Sequence, residues 1–367
     1  MEERSNEHVG EPLVSVIMPV YNEAEYIENG IRSLLAQTYP IARMEVIVAD
    51  GMSSDRTREI VEGIASNTEL AIKVVDNPGR IAPTGLNCAL RRARGSIIVR
   101  IDGHCEVDRY YVSNCVRLLS EAKADGVGGP IETIGEGVVA ESIALAMSSV
   151  FGVGGSAFRT VDDREMYTDT VAFPGYTREI IERAGAFDEE LVRNQDDEYN
   201  YRIRKLGGKI LLSPSIRSRY YSRSTLYSLW RQYFQYGYWK VRVLQLHPRQ
   251  MSLRQFIPFV FVLSLVVLSL AAAFTTAGKW LFGATVVSYL ALNLAASVYA
   301  AGRRVALIPF VALSFLILHL SYGFGSMFGL FAFRGRWRDH DKSAPGVGIE
   351  TDGERLGERS ARNSGSV

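Results

Sequence analysis

Five short clusters hold the residues able to do chemistry. Pro19-Val20-Tyr21-Asn22-Glu23 follows the apolar run 14–18, and Asp50-Gly51 follows 44–49. Asp76-Asn77-Pro78-Gly79-Arg80 follows 71–75, and Asp102-Gly103-His104 follows 96–101. Gln195-Asp196-Asp197-Glu198 comes later, with Arg202 close behind. Asp102 and His104, two residues apart, pair a carboxylate with an imidazole. Such an N/O pair can hold a divalent cation and tolerates Mn2+ better than the all-oxygen shell that Mg2+ prefers. A carboxylate at Asp196 can take the proton of an attacking hydroxyl, an effect worth about 10²–10⁴-fold in rate. Taken alone, an Asp behind a strand is a turn former, and acidic residues at a helix start answer the helix dipole. His104 alone is a loop histidine. Four strand ends converging with polar groups outweigh those plainer readings.

The elements that would position these clusters are legible. The four runs are β-branched and short, as in buried parallel strands. Between them, 25–36, 57–65 and 83–93 place apolar residues at helical spacing, as with Ile27, Ile31, Leu34 and Leu35. Ser53, Ser54 and Asp55 are candidate caps for the second helix, and Pro83 suits the first turn of the third. Strand–helix alternation predicts an open α/β sheet, which binds ligands beyond the carboxyl ends of its strands. After residue 135 the pattern turns irregular. Gly152-Val153-Gly154-Gly155 marks a loop, Phe173-Pro174-Gly175-Tyr176 precedes a capped helix at 177–184, and 209–212 reads as a strand.

The chain has 367 residues and a formal net charge of +1, so bulk charge argues against a nucleic-acid partner. Cys88, Cys105 and Cys115 form no disulfide pattern and read as free thiols in a reducing compartment. The polar, acidic start (residues 1–12, expected to be disordered) shows no secretory leader. Residues 223–250 mix aromatics with cations, as an interfacial helix does. Three apolar blocks follow, 256–274, 280–301 and 305–333, against the roughly 20 residues that span a bilayer. Arg249, Arg254, Arg303 and Arg304 place their ends in the cytoplasm, and the 275–279 turn outside. A simple third crossing would carry Arg334, Arg336 and Arg338 outside. A re-entrant segment broken at Gly323 and Gly325 would return them, and both topologies stay open. The tail, 334–367, reads as polar and disordered.

VSVIMPVYNEAEYI, VIVADGMSSDRT, NPGRIAPTGLNCAL, IDGHCEVD and NQDDEYNYRIRKLGG resemble, in order and spacing, the motifs of family 2 inverting glycosyltransferases with the GT-A fold. RQYFQYGYWK and the apolar tail are similar to the exopolysaccharide branch, including succinoglycan glucosyltransferase-like proteins. The resemblance implies an α/β catalytic domain over 13–222 with an open, mainly parallel sheet and flanking helices. An interfacial helix and transmembrane helices over 255–333 would follow. It implies that Pro19, Tyr21, Glu23 and Asp50 hold base and ribose, and that Arg80 closes on the nucleotide. Asp102 opens a D-x-D metal motif whose last place is His104, and Asp196 is the catalytic base of an E-D pair whose first place is Gln195. Arg202, Arg231 and Gly175 are candidate contacts to diphosphate or acceptor.

The expected activity is inverting, non-processive transfer from a nucleotide-diphosphate sugar to a polyprenyl-linked saccharide at the cytoplasmic face of the cell membrane. The donor is expected to be UDP-linked, UDP-glucose first, and the cofactor a divalent cation, Mn2+ or Mg2+. The absent Q-x-x-R-W signature argues against a processive synthase. A membrane scaffold with an inactive nucleotide-sugar domain is the alternative from another class. A nucleotidyltransferase would open on a Gly-rich basic loop, which PVYNEAEY is not.

Overall fold

A computed structural model describes residues 10–161, 163–249 and 252–337. The expectations for the first nine residues, for Arg338 and for the tail beyond it lie outside the described residues.

The first half alternates strand and helix: β1 (Val14–Val20), α1 (Ile27–Leu35), β2 (Met44–Asp50), α2 (Thr57–Ala65), β3 (Ala71–Asp76), α3 (Ala82–Arg92) and β4 (Ile97–Arg100). Every residue of β2 is buried and β1 is nearly so, which explains their unbroken apolar composition. β1 pairs in parallel with β2 and β4, and β2 with β3. The register sets Val20 beside Asp50 and Asp50 beside Asp76. Three loops of the predicted clusters therefore leave the sheet at one rim.

The second half is less regular: β5 (Cys105–Val107), α4 (Tyr111–Glu121), β6 (Gly126–Gly129), β7 (Ile131–Ile134), α5 (Gly137–Met147), α6 (Val150–Val153), α7 (Ala157–Thr160), β8 (Met166–Tyr167), β9 (Ala172–Thr177), α8 (Arg178–Ala184), α9 (Gln195–Lys205), β10 (Ile210–Leu212) and β11 (Ser218–Tyr221). The main sheet has the order β3-β2-β1-β4-β9-β6-β10-β8, and a small one runs β5-β11-β7. The Phe173–Tyr176 stretch, expected as the approach to a helix, lies within β9, antiparallel to β4 and β6. Pro174 is tolerated in that central strand because the ladder shifts register there, so its missing N–H leaves no pair broken. Thr177 then caps α8 through the Ile180 N–H.

α10 (Leu226–Leu246) follows, capped by Thr225, and then α11 (Ile257–Phe274), α12 (Thr276–Ala301) and α13 (Ile308–Ala332). The last three are long and apolar enough to cross a membrane. Only Thr275 separates α11 from α12, and its hydroxyl caps α12 at the Gly278 N–H, making a tight hairpin. α13 is continuous through Tyr322–Gly325, so the helix is not broken at Gly323 and Gly325 as the re-entrant alternative required. Its glycines are contact points instead. A Cβ on Gly323 would fall 2.4 Å from the Pro258 carbonyl oxygen of α11, and one on Gly325 2.1 Å from that of Phe234 on α10. Gly237 of α10 returns the approach, with a Cβ 2.0 Å from the Tyr322 oxygen. Small residues bring the helix backbones together, the usual means of association where lipid replaces water.

Both ends of α13 face the α/β domain. Arg304, just before it, pairs with Glu141, and Arg336, just after it, pairs with Glu190. The Phe333 carbonyl also accepts from Gln245 Nε2 at 2.7 Å.

Adding one methyl group tests the crossing. Gly325→Ala is expected to destabilise the detergent-solubilised protein by roughly 1–3 kcal/mol through overpacking, read as a lowered Tm. Gly283→Ala, on α12 with nothing within 4 Å of its added carbon, is expected to leave Tm unchanged or slightly raised.

Candidate active site

The rim loops are stapled together before any ligand arrives. Asn22 N–H donates to Ser53 Oγ at 2.9 Å, Glu23 N–H to Thr57 Oγ1 at 2.7 Å, and Ala24 N–H to Asp55 Oδ2 at 3.1 Å. Ser53, expected as a helix cap, holds the β1 loop against the β2 loop, while Asp55 does both: its Oδ1 accepts from the Thr57 N–H at 3.0 Å at the start of α2 and its Oδ2 holds Ala24. Four loop residues adopt left-handed backbone without being glycine: Asn22 (φ 54°), Met52 (59°), Arg80 (58°) and Asn194 (63°). Such conformations cost energy and persist where the surroundings over-determine them, often at functional sites.

A cavity of about 1260 Å³ opens between these loops. Pro19, Tyr21, Glu23, Arg80, Asp102, His104 and Asp196, all expected at the site, line it together. From α10 come Gln232, Tyr236 and Lys240, spaced four residues apart and hence on one helix face. At its far end the cavity reaches Phe151 of α6, Phe261 of α11, Tyr289 of α12 and Leu318 of α13.

Charge is closely balanced along this wall. Arg100, the buried last residue of β4, donates to Asp102 Oδ1 from Nε at 3.2 Å and Nη2 at 3.1 Å. It also acts on Asp196 across the cleft. Lys240, only 4% exposed, pairs with Asp197, and Asn194 Nδ2 donates to the Tyr236 carbonyl at 2.9 Å. Burial, then the negative charge of Asp197, raise the Asp196 pKa; Arg100 and Lys240 oppose them without cancelling the rise.

His104 Nδ1 lies 2.8 Å from Glu23 Oε1, and its ring meets Tyr220 edge-on. Burial favours the neutral imidazole, but the bond to Glu23 and the nearby negative charges raise its pKa to about 9. In the ligand-free protein at neutral pH, His104 is therefore a cation. A carboxylate on one ring nitrogen is also the usual support for a histidine that binds metal through the other. Among the described residues no group of three or more His, Cys, Asp or Glu could hold a metal ion. The donor set fits a cation that arrives largely coordinated by phosphate oxygens, completed by Asp102 and the His104 Nε2 atom once that ring loses its proton.

Four of the expected site residues do not line the cavity. Asp50 stands at the rim but does not line the cavity, because Arg58 Nε at 3.2 Å and the Ser53 N–H at 3.2 Å occupy its carboxylate. Arg202 clamps the carbonyls of Ala184 (2.7 Å) and Ala186 (2.9 Å) and pairs with Glu198, away from the cleft. Arg231 is exposed on another face of α10, about 100° round the helix from Gln232. Gly175 is a packing residue inside β9, where a Cβ would meet Cys115 at 3.2 Å. Arg100, Lys240, Gln232 and Tyr236 were missed. An Arg closing the strand 97–100 two residues before Asp102, and the 232/236/240 spacing, were the available signals.

Residues 15–185 match the model for Glycosyl transferase family 2. The succinoglycan biosynthesis protein ExoA of Rhizobium meliloti (strain 1021) is 30% identical over 328 residues, 88% of this chain and 96% of that protein. The dolichyl N-acetyl-alpha-D-glucosaminyl phosphate 3-beta-D-2,3-diacetamido-2,3-dideoxy-beta-D-glucuronosyltransferase of Methanococcus voltae is 28% identical over 260 residues, 69% of this chain and 80% of that protein. Among solved structures, the mannosyltransferase PcManGT from Pyrobaculum calidifontis, in complex with GDP-Man and Mn2+, shares the fold with a TM-score of 0.56, 22% identity and 88% coverage of each chain.

The Arg100–Asp102 pair makes a stability test possible without substrate. Asp102→Asn leaves a buried guanidinium partly unmatched and is expected to cost roughly 2–3 kcal/mol, below the usual loss for a broken buried pair because Asp196 remains nearby. Thermal unfolding reads the loss, and adding Arg100→Met to Asp102→Asn is expected to recover most of it.

Proposed function

The chain belongs to glycosyl transferase family 2, and from that premise we propose that it transfers a sugar, with inversion, from a nucleotide-diphosphate donor to a hydroxyl of a membrane-associated acceptor. One observation carries the reading. A single cavity runs from the rim of β1 and β4, past Asp196, to the start of α11 and the middle of α13. Donor and acceptor can thus meet at one carboxylate with water largely displaced.

Each wall residue has a task in this reaction. Pro19, Tyr21 and Arg80 hold the nucleotide at the rim. The acceptor hydroxyl gives its proton to Asp196 as its oxygen bonds to the anomeric carbon. The bond from that carbon to the diphosphate breaks on the opposite face, and the nucleotide departs with the electron pair. Attack opposite the leaving group converts an α-linked donor into a β-linked product. Arg100 orients Asp102 and keeps Asp196 from being wholly neutralised by burial, while Lys240 holds Asp197 aside. A divalent cation between Asp102, His104 and the diphosphate would offset charge on the leaving group.

The acceptor is lipid-linked in this proposal, a polyprenyl-borne saccharide in exopolysaccharide or glycan assembly. The reach of the cavity into the apolar helices supports this, and so do the names of two relatives, one in succinoglycan biosynthesis and one acting on a dolichyl-linked sugar. The α11–α12 hairpin would cross the membrane. α13, tied to the α/β domain at both ends, would lie along the bilayer surface and keep the tail on the catalytic side. The flanking arginines favour the cytoplasmic face. The donor is proposed to be UDP-linked.

Asp196→Asn is expected to lower transfer by at least about 10²-fold while nucleotide binding, followed by calorimetry, survives. In the unsubstituted protein the ionised Asp196 is lost as pH falls through its raised pKa, so the rate should fall above the ordinary carboxylate range. Asp197→Asn removes a cause of that rise and should move the acid limb to lower pH. Near-normal turnover by Asp196→Asn would refute the assignment.

Chelation is expected to stop transfer but leave the Tm of the donor-free protein unchanged, since the cation binds with the donor. Mn2+ is expected to restore activity at least as well as Mg2+; a strong preference for Mg2+ would remove His104 from the coordination sphere.

A further inference from the structure

The transfer chemistry leaves three cations of the cavity without a task. Arg100 is matched by Asp102, Lys240 by Asp197 and His104 by Glu23. Arg254 is matched by Asp169 at 3.0 Å and the Gly155 carbonyl at 2.7 Å. Arg80 belongs to the nucleotide rim. Arg159, Arg193 and Arg223 also line the cavity, and among the described residues no carboxylate pairs with any of them.

The three come from separate segments: α7, the loop just before α9, and the link between β11 and α10. They gather round two tyrosines. The Arg159 guanidinium lies 5.8 Å from the Tyr220 ring centre and also donates to Thr133 Oγ1 at 3.2 Å. Arg223 and Arg159 bring positive charge to Tyr220, and Arg193 and Arg159 bring it to Tyr236. Gln232, 6% exposed, reaches both hydroxyls: Nε2 donates to Tyr236 at 2.9 Å and to Tyr220 at 3.4 Å. Its Oε1 atom is buried with no partner among the described residues. A buried amide oxygen left unpaired costs free energy, as do gathered cations without an anion.

Beyond this cluster the cavity turns apolar, with Phe151, Ile257, Phe261 and Leu318 between the hairpin and α13. A pocket cationic at one end and apolar at the other complements an amphiphile with an anionic head. Arg193 is three residues before Asp196, so that head would sit close to the reacting hydroxyl.

Building on the transfer reaction proposed above, we propose that Arg159, Arg193 and Arg223 grip the phosphate or diphosphate of an isoprenoid lipid. Its chain leaves between α11 and α13, and its sugar presents the acceptor hydroxyl to Asp196. The enzyme then selects its acceptor by the anion as well as by the sugar, and the Gln232 oxygen takes a hydroxyl of that sugar.

The test uses the full-length protein in detergent micelles, with farnesyl diphosphate as probe and calorimetry as readout. Farnesyl diphosphate is expected to bind with saturating UDP present, because the two occupy different parts of the cavity. Farnesol and inorganic pyrophosphate are each expected to bind at least about tenfold more weakly, the size of one lost charge-assisted hydrogen bond. Arg159→Gln, Arg193→Gln and Arg223→Gln should each weaken farnesyl diphosphate by about the same factor while UDP affinity stays within about twofold. Competition between UDP and farnesyl diphosphate overturns the proposal, since the arginines then belong to the donor. Equal binding of farnesol removes the grip, and equal binding of pyrophosphate removes the lipid. The competition and analogue arms need only the unsubstituted protein, so a variant that fails to fold leaves them decisive. Loss of UDP binding would instead count against the transferase reading, and leave the grip standing.

Discussion

The buried contact between Lys240 and Asp197 joins two parts of the molecule that composition keeps apart. One is an α/β sheet whose rim loops are polar. The other is a bundle of apolar helices with few charges. α10 belongs to both: Lys240 and the Tyr236 carbonyl hold the start of α9, while Gly237 lets α13 approach an adjoining face. Arg242, fully buried, adds a two-pronged bond to Glu190 at 2.8 and 3.0 Å. An isolated pair of this kind contributes little net stability, because desolvation offsets most of the Coulomb gain. Its effect is positional. With Asn194 in a left-handed conformation and its amide tied to α10, the direction of the first turn of α9, and with it Asp196, follows from where α10 sits.

The same frame sets the electrostatics. Asp196 is the group whose surroundings disagree most: burial and Asp197 favour its neutral form, Arg100 and Lys240 its charged form. A base too strongly paired would be a weak proton acceptor, and one buried alone would stay protonated. Arg100 resolves the conflict by being shared, bonded to Asp102 and only electrostatically engaged with Asp196. A cation drawing on Asp102 would leave more of that guanidinium to Asp196, so cation binding and the strength of the proposed base would be linked through one side chain.

How far the sequence could be read follows from the range of the forces involved. Strands β1 to β4 and their polar ends were legible because unbroken apolar runs and turn residues are local signals, and the motif resemblance located Asp102 and Asp196. The strands of the small sheet were not, being three or four residues long and stabilised by partners more than a hundred positions away, as β5 is by β11. Arg231 and Gln232 differ by one step in sequence but face different surroundings, which only the packed phase of α10 decides. Gly323 and Gly325 carry a local penalty of about 1 kcal/mol each in a helix, so a break there was one of the two readings left open. Backbone contact with α10 and α11 overrides it. The partners of Arg202 and Asp50, two carbonyls and Arg58, could not be read from type and place alone.

The course of α13 completes the argument about the membrane. It is about 37 Å long by its 25 residues, enough to span a bilayer, and composition alone would make it a third crossing. But Glu141 and Glu190 are both residues of the α/β domain, and both hold arginines flanking this helix. A segment anchored at each end to one water-exposed body would not deliver its chain to the far side. In the proposed arrangement α13 would lie as a floor along the bilayer surface, with α10 and the hairpin packed against it. Exposed apolar residues such as Leu270, Phe274 and Tyr299 lie on the hairpin, which is where lipid contact belongs. Residues of α13, the hairpin and the sheet rim line the cavity, so in that arrangement its apolar end would lie at the membrane surface while its polar end stays with the rim loops. A lipid carrying a sugar could reach Asp196 from there without leaving the bilayer, and a soluble nucleotide could reach it from the other end.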